Sequence, residues 1–289
     1  MNIESIRMAL RGIVANRMRS ALTMLGILIG VSAVIVLVAV GAGSAAKTRQ
    51  SLEALGSNTL TVSAGGFGQG NRGGTQSRNV QITDADVAAL SDPTQAPDIA
   101  AVVPIVTGSS VTAALDGASA TVGQFLGTSA DYSAVRNAPV QAGVFFSADD
   151  VTNHASVAVV GTTVAKNLLG DTADPNSIVG QNVQFGSHTL SVIGVLKSKG
   201  SNGLQDQDDI VLLPYTTARD NYTGNTGTFS QLIVQAPSQS ATGPAQTEIT
   251  SILQARHTGT TASSFRVLNQ ASLLQTADAN NQTFTVLLG

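Results

Sequence analysis

ALTMLGILIGVSAVIVLVAV, residues 21–40, contains no charged side chain, and its only polar ones are Thr23 and Ser32. At about 1.5 Å of rise per residue, a helix of this length covers roughly 30 Å, the thickness of a bilayer's hydrocarbon core. Both hydroxyls can bond back to a carbonyl one turn earlier, so neither forbids lipid. The run therefore predicts a transmembrane helix over residues 21–43. Ahead of it stand Arg7, Arg11, Arg17 and Arg19 with a single Glu4; after it only Lys47 and Arg49 lie nearby. The positive-inside bias places the N-terminus in the cytoplasm and everything from residue 44 on the far side. Gly26 and Gly30 form a G-x-x-x-G pair, a candidate helix-packing face; the competing explanation is that glycines are simply common in such helices.

The rival to a retained anchor is a cleaved signal peptide, with small residues 41–46 as the cleavage region. Signal h-regions run about 7–15 residues, shorter than this one. The leader, residues 1–20, is itself amphipathic. Ile3, Ile6, Leu10, Ile13 and Val14 share a helical face that excludes Glu4, Arg7 and Arg11, as in a helix lying on the inner leaflet. Both features favour an uncleaved, single-pass anchor in the cell membrane. At the other end FTVLLG, residues 284–289, opens a second apolar run. It reads either as a terminal strand or as the start of a second membrane helix.

Composition narrows the function classes. Charged residues make up 11% of the 289, hydrophobic ones 43%, and the net charge is −3. An average soluble protein is about one-quarter charged, and nucleic-acid binding calls for a basic surface this chain lacks. The absence of cysteine excludes disulfides and thiolate metal sites.

Residues 44–283 read as an α+β domain. Residues 45–55 continue the membrane helix outward, ending near Gly56. Strands are predicted at 59–63, 102–106, 110–114, 118–127, 156–160, 210–213, 231–235 and 265–268, with a hairpin of 182–185 and 189–196 around Gly186-Ser187. Thr83 with Asp86 three residues later predicts a helix start, as do the residues from Ser147 to Asp150. Further helices are predicted at 131–136, at 162–169 closed by Gly170, and at 244–257 with Ile249, Ile252 and Leu253 on one face. The last elements match the first in kind. This fits a first lobe of residues 44–124 plus 229–277, with residues 125–228 inserted as a second lobe, and residues 269–283 as a second stalk beneath it.

Catalytic signals are weak. Gly68, Gly70 and Gly73 spell G-x-G-x-x-G, but the polar TQSRN that follows makes it a loop, not a strand-to-helix phosphate cradle. His154, His188 and His257 stand far apart and read as structural or surface residues. Asp206, Asp208 and Asp209 lack the glycine and glutamate of a calcium loop and read as solvated charges. No G-x-S-x-G, H-E-x-x-H or Walker lysine occurs, so the chain is not expected to be an enzyme.

Several segments together resemble MacB-type ABC-transporter permeases. NRMRSALTMLGILIGVSAVIVLVAVGAG and SLEALGSNTLTVSAG resemble the family's start. ITDADVAAL, GVFFSADDV, SVAVVGTTVAKNLLG, VIGVLKSKG, DDIVLLP and a late LLQ then follow in the order of its periplasmic core domain. The resemblance implies a two-lobed extracytoplasmic domain followed in the family by three more membrane helices, so that this sequence stops before the last three. It implies an inner-membrane permease that pairs with a second copy and couples ATP-driven motion of membrane helices to export. The partners it implies are membrane lipid, a separate cytoplasmic ABC ATPase and a periplasmic or membrane-fusion adaptor. No cofactor is expected in this chain, since ATP would be bound by the ATPase. The alternative from another class is a signal-anchored binding or adhesion protein.

Overall fold

The chain from Arg17 to Glu53 has no proline and holds long apolar side chains on every face, and it forms one helix, α1 (Arg17–Glu53, 37 residues). The computed structural model describes residues 16–53, 58–64, 80–170, 172–201, 206–224, 226–257, 264–270 and 272. It divides into two units, Met1–Gln50 with Gln275–Gly289, and Ser51–Leu274. In the first unit, every large apolar side chain of α1 from Met18 to Val40 is 46–82% exposed. Arg17–Gly41 is long and apolar enough to cross a membrane. A helix apolar all round and left this exposed among the described residues suits lipid, not water. Thr23 Oγ1 donates to the carbonyls of Arg19 and Ser20, both at 3.0 Å, the back-bonding that makes a hydroxyl tolerable there. The helix continues past the span to Glu53, as expected for residues 45–53. The leader face at residues 3–14, the glycine-rich loop, Ala54 and Leu55, and the run at 284–289 lie outside the described residues.

The second unit is built on a mixed sheet of twelve described strands. In chain order they are β1 (Thr59–Ala64), β3 (Ala101–Thr107), β4 (Val111–Leu115), β5 (Ala118–Val122), β6 (Gln124–Thr128), β7 (Val140–Gly143), β8 (Val157–Val160), β9 (Asn182–Phe185), β10 (His188–Leu196), β11 (Ile210–Pro214), β13 (Gln231–Gln235) and β14 (Phe265–Asn269). The short pair β2 (Ile82–Thr83) and β12 (Thr228–Phe229) stands apart from it. The order across the sheet is β14-β1-β13-β3-β6-β11-β8-β10-β9-β4-β5, with β7 beside β10. Most neighbours are antiparallel; β6–β11 and β8–β10 are parallel. The β8–β10 connection carries α5 (Thr162–Leu169) and a 3-10 turn (Pro175–Ile178), the kind of crossover parallel strands need.

The central strands are apolar without alternation because both faces are covered. In β11, Val211 and Leu213 join one core while Ile210 and Leu212 join the other. The first core also takes Val164, Ala165 and Leu168 of α5 and Ala245, Ile249 and Leu253 of α7 (Thr242–Arg256). The second takes Tyr132 and Val135 of α3 (Tyr132–Val135) and Val151 of α4 (Ala148–Thr152), with Tyr215 of α6 (Tyr215–Ala218) packed against it. Helices thus cover the sheet on both sides.

Helix α2 (Asp84–Leu90) starts as predicted. The Asp86 carboxylate accepts from the backbone N–H of Thr83 at 2.9 Å and from its hydroxyl at 2.8 Å. At α4 the capping box closes both ways: Ser147 N–H donates to Asp150 at 2.7 Å, and Asp150 N–H to Ser147 Oγ at 3.2 Å. The single strand expected over 118–127 is two strands. The chain leaves β5, paired with β4, and enters β6, paired with β3 and β11. The change falls at Gly123, where a Cβ would stand 2.5 Å from Asp209 Oδ2. β4 and β5 turn at Asp116-Gly117, both at positive φ, the signature of a two-residue hairpin. β4 also pairs with β9 through Ala113 and Phe185, so strand pairing runs between the segments assigned above to the two lobes.

Candidate functional site

The end of the sheet formed by β14, β1 and β13 is where the chain enters and leaves the domain. β1 follows α1 after a few residues and pairs on one side with β13, Thr59 opposite Gln235 through Ser63 opposite Gln231. On the other side it pairs with β14, Leu60 opposite Asn269 through Ala64 opposite Phe265. Because that pair is antiparallel, the start of β1 and the end of β14 lie together. Asn58 extends the junction: its Nδ2 donates to the Ala236 carbonyl, and Ala236 N–H donates back to Asn58 O at 2.9 Å. Thr59 Oγ1 donates to Gln270 Oε1 at 2.8 Å, with both side chains buried.

Three further polar contacts tie distant segments around the sheet. Asp86, 1% exposed, accepts from Arg256 Nε at 2.8 Å and lies 3.0 Å from His257 Nε2, so the start of α2 is bound to the end of α7. Burial alone would raise its pKa. The hydrogen bonds from Arg256, Thr83 and His257 outweigh that and hold the carboxyl below its ordinary value. Arg219 opens a π-helical turn (Arg219–Thr223). Its Nη1 reaches both Asp84 oxygens, at 2.9 and 3.0 Å, its Nη2 reaches Thr228 O at 3.2 Å, and its guanidinium lies 4.0 Å above the Phe229 ring. This is a desolvated cation with charge, hydrogen-bond and π partners. Asp208 is buried. It accepts from Lys199 N–H at 2.7 Å, from Gly200 N–H at 3.0 Å and from the Ser198 hydroxyl. The expectation of solvated charges at 206–209 is therefore corrected for Asp208, whose carboxylate fixes the turn after β10. Nearby, burial and then repulsion from Arg136 bring the Lys199 ammonium down to about 8, with Asp208 opposing them, and its Nζ donates to the Arg136 carbonyl at 2.8 Å.

The other predicted residues are scattered. Gly26 and Gly30 lie one turn apart on exposed α1, and a Cβ at either would meet nothing within 4 Å. His154 pairs with Asp220, His188 lies edge-on to Tyr222, and His257 joins Asp86. All three have structural or surface partners, and among the described residues no three metal-ligating groups gather. A recess of about 260 Å³ lies beside residues 107–110 and 122–126, and the residues lining it include Gly123, Phe125 and Gln231 but no ionisable side chain. Neither the Thr59–Gln270 contact nor that of Arg219 with Asp84 has a sequence signal, since the partners stand 211 and 135 residues apart.

Comparison with known proteins assigns this architecture. The model of the MacB-like periplasmic core domain family matches residues 20–252. A macrolide export ATP-binding/permease protein MacB from Azoarcus sp. (strain BH72) is 38% identical over 288 residues, covering 99% of this chain and 41% of that protein. The MacB of Rhodospirillum rubrum is 37% identical over 287 residues, covering 99% and 42%. A pyoverdine export ATP-binding/permease protein, PvdT of Pseudomonas entomophila, is 31% identical over 288 residues, covering 99% and 41%. The chain thus spans about two-fifths of the length of these curated relatives. Among solved structures, the periplasmic region of MacB from Actinobacillus actinomycetemcomitans superposes with a TM-score of 0.61 at 24% identity, covering 78% of this chain and 95% of that one. The extracellular domain of the noncanonic ABC-type transporter YknZ from Gram-positive bacteria gives 0.58 at 21% identity, covering 73% and 100%. Helix-flanked sheet, apolar N-terminal helix and relatives aligned along nearly the whole sequence agree: the chain belongs to the MacB-type permeases, the family that carries the MacB-like periplasmic core domain.

Proposed function

We propose that this chain acts as the permease part of an ABC exporter, in which the sheet domain couples ATP-driven motion of membrane helices to movement of substrate outside the membrane. The observation that carries this reading is the pairing of β1 with β14. The strand that follows the membrane helix and the strand that precedes the second apolar run are hydrogen-bonded neighbours, so motion of either connection acts on one edge of one sheet. A passive anchored binding domain needs no such arrangement. The partners are membrane lipid, a second permease copy, a cytoplasmic ABC ATPase that binds and hydrolyses ATP, and an extracytoplasmic adaptor. The exposed face of Gly26 and Gly30 is offered for packing against another membrane helix. The relatives' names make macrolides the first substrate class to try. Full-length permease expressed with its ATPase should lower macrolide sensitivity of an efflux-deficient host, and an ATPase lacking its Walker lysine should remove the protection. Equal sensitivity with and without active ATPase would refute the reading.

The same proposal fixes orientation. The arginines ahead of the apolar run 21–40 favour a cytoplasmic N-terminus, so a reporter that works only in the cytoplasm, fused after Ala64, should be silent. A bright signal there would reverse the topology. Val31→Arg places a charge in mid-span at a cost of about 2.5–3.5 kcal/mol on insertion scales. The chain should shift from the membrane fraction toward degradation or the soluble fraction; unchanged membrane yield would count against a spanning helix.

A further inference from the structure

We propose that Thr59 and Gln270 form a buried clasp that makes the two membrane connections move the sheet domain as one piece. This rests on the coupling role proposed above. The pairs from Leu60 opposite Asn269 to Ala64 opposite Phe265, continued by one position, set Thr59 opposite Gln270. The clasp is thus the first rung of the β1–β14 ladder on the side from which both connections depart. Two antiparallel strands loaded from the same end peel apart like a zipper: rungs are stressed one at a time, and the first bears the load before the next. Load shared along the strands would spread over every rung at once, but this topology does not offer that geometry.

The two strands are not held equally. β1 is flanked by β13 as well as β14, and Asn58 bonds with Ala236 just beyond it. β14 is the outermost strand on its side of the described sheet. Its ladder bonds go to β1, so β14 is the strand that would lift. Gln270 is the first residue past it, and its side chain is 6% exposed against 0% for Thr59. A buried hydroxyl-to-amide bond at that position resists opening because it forms away from competing water, where a hydrogen bond is electrostatically stronger. An apolar pair of the same size would fill the space and leave the folded state intact, yet hold no fixed register under load.

The test uses the full-length permease with its ATPase, reading macrolide export into inverted membrane vesicles beside ATP hydrolysis and thermal unfolding. Thr59→Val with Gln270→Met removes both polar groups together and should leave unfolding and ATP hydrolysis unchanged while export falls by roughly fivefold or more, the lower end of typical coupling effects. Thr59→Cys with Gln270→Cys should form a disulfide, since residues directly opposed on antiparallel segments stand within bonding range and residues 1–289 hold no other cysteine. The oxidised form should export like the wild type and the reduced form should lose export. Wild-type export by the Val/Met variant overturns the clasp. So does a disulfide that blocks export, because the strands would then have to part during the cycle. A glycine insertion in the α1 extension separates the two hypotheses. Loss of export there with normal export in the Val/Met variant refutes the clasp alone; normal export in the insertion variant refutes the coupling role itself.

Discussion

Two glycines inserted between Gln50 and Ser51 should abolish export while leaving much of the ATP hydrolysis intact. Helix α1 runs unbroken to Glu53, and residues 42–53 add roughly 18 Å beyond the apolar span at helical rise. A helix transmits displacement along its axis because each turn is braced by its own hydrogen bonds, whereas a glycine-rich segment behaves as a flexible coil and absorbs it. Each interior glycine costs about 1 kcal/mol of helix relative to alanine, and the two extra residues also turn everything beyond them by about 200°. Nothing in the sheet's cores or in the ATPase's nucleotide site is touched, so expression and ATP turnover remain as internal controls. The measurement is macrolide export beside ATP hydrolysis on one preparation. Full export in the insertion variant would leave the sheet domain as a passive binding module.

The elements that were legible in the sequence are those whose cause is local. The helix over Arg17–Glu53 is written in its composition, the starts of α2 and α4 in a hydroxyl three residues ahead of a carboxylate, and the end of α5 in Gly170. The apolar run of β11 reveals a strand buried on both faces, though it does not say which neighbours it takes. What was missed depends on distant partners. The run 118–127 looks like one strand because it holds no charge and no proline, although its apolar alternation, carried by Ala118, Ala120 and Val122, slips phase between Val122 and Phe125. Only the change of partner at Gly123, forced by the close approach of Asp209, breaks it. Asp208 looks like a loop charge until the turn after β10 folds back and turns two N–H groups toward it. Arg219 follows a proline-ended strand in a polar stretch, and nothing local marks it as a buried cation over Phe229. The same limit applies to the clasp: threonine and glutamine are ordinary surface residues until antiparallel pairing brings them together inside the protein.

Asp86→Ala should destabilise the sheet domain by about 2–3 kcal/mol, the cost of a lost helix cap together with charge-assisted hydrogen bonds to a buried carboxylate. Asp86 is 1% exposed and carries four contacts: the N–H and hydroxyl of Thr83, Arg256 and His257. Alanine removes the cap of α2 and, in the same stroke, the bond that ties α2 to the end of α7. Arg256 is 37% exposed and can turn to water, which limits the loss. The effect also has a defined pH dependence. The folded-state pKa of Asp86 lies below the ordinary 3.8, so the unfolded chain takes up the proton first as pH falls. The stabilisation is therefore complete above the unfolded value, declines below about pH 4, and disappears once pH has passed through the lowered folded value. Denaturant melts of wild type and variant should show a constant gap above about pH 5 that narrows progressively in more acidic buffer. Asp86→Asn, which keeps a carbonyl acceptor without the charge, should lie between the two at neutral pH and show no titration of its own in the acidic window. A gap that stays constant down to pH values well below the ordinary carboxylate range, or an alanine variant as stable as wild type, would show that the Asp86 network does not hold α2 to α7.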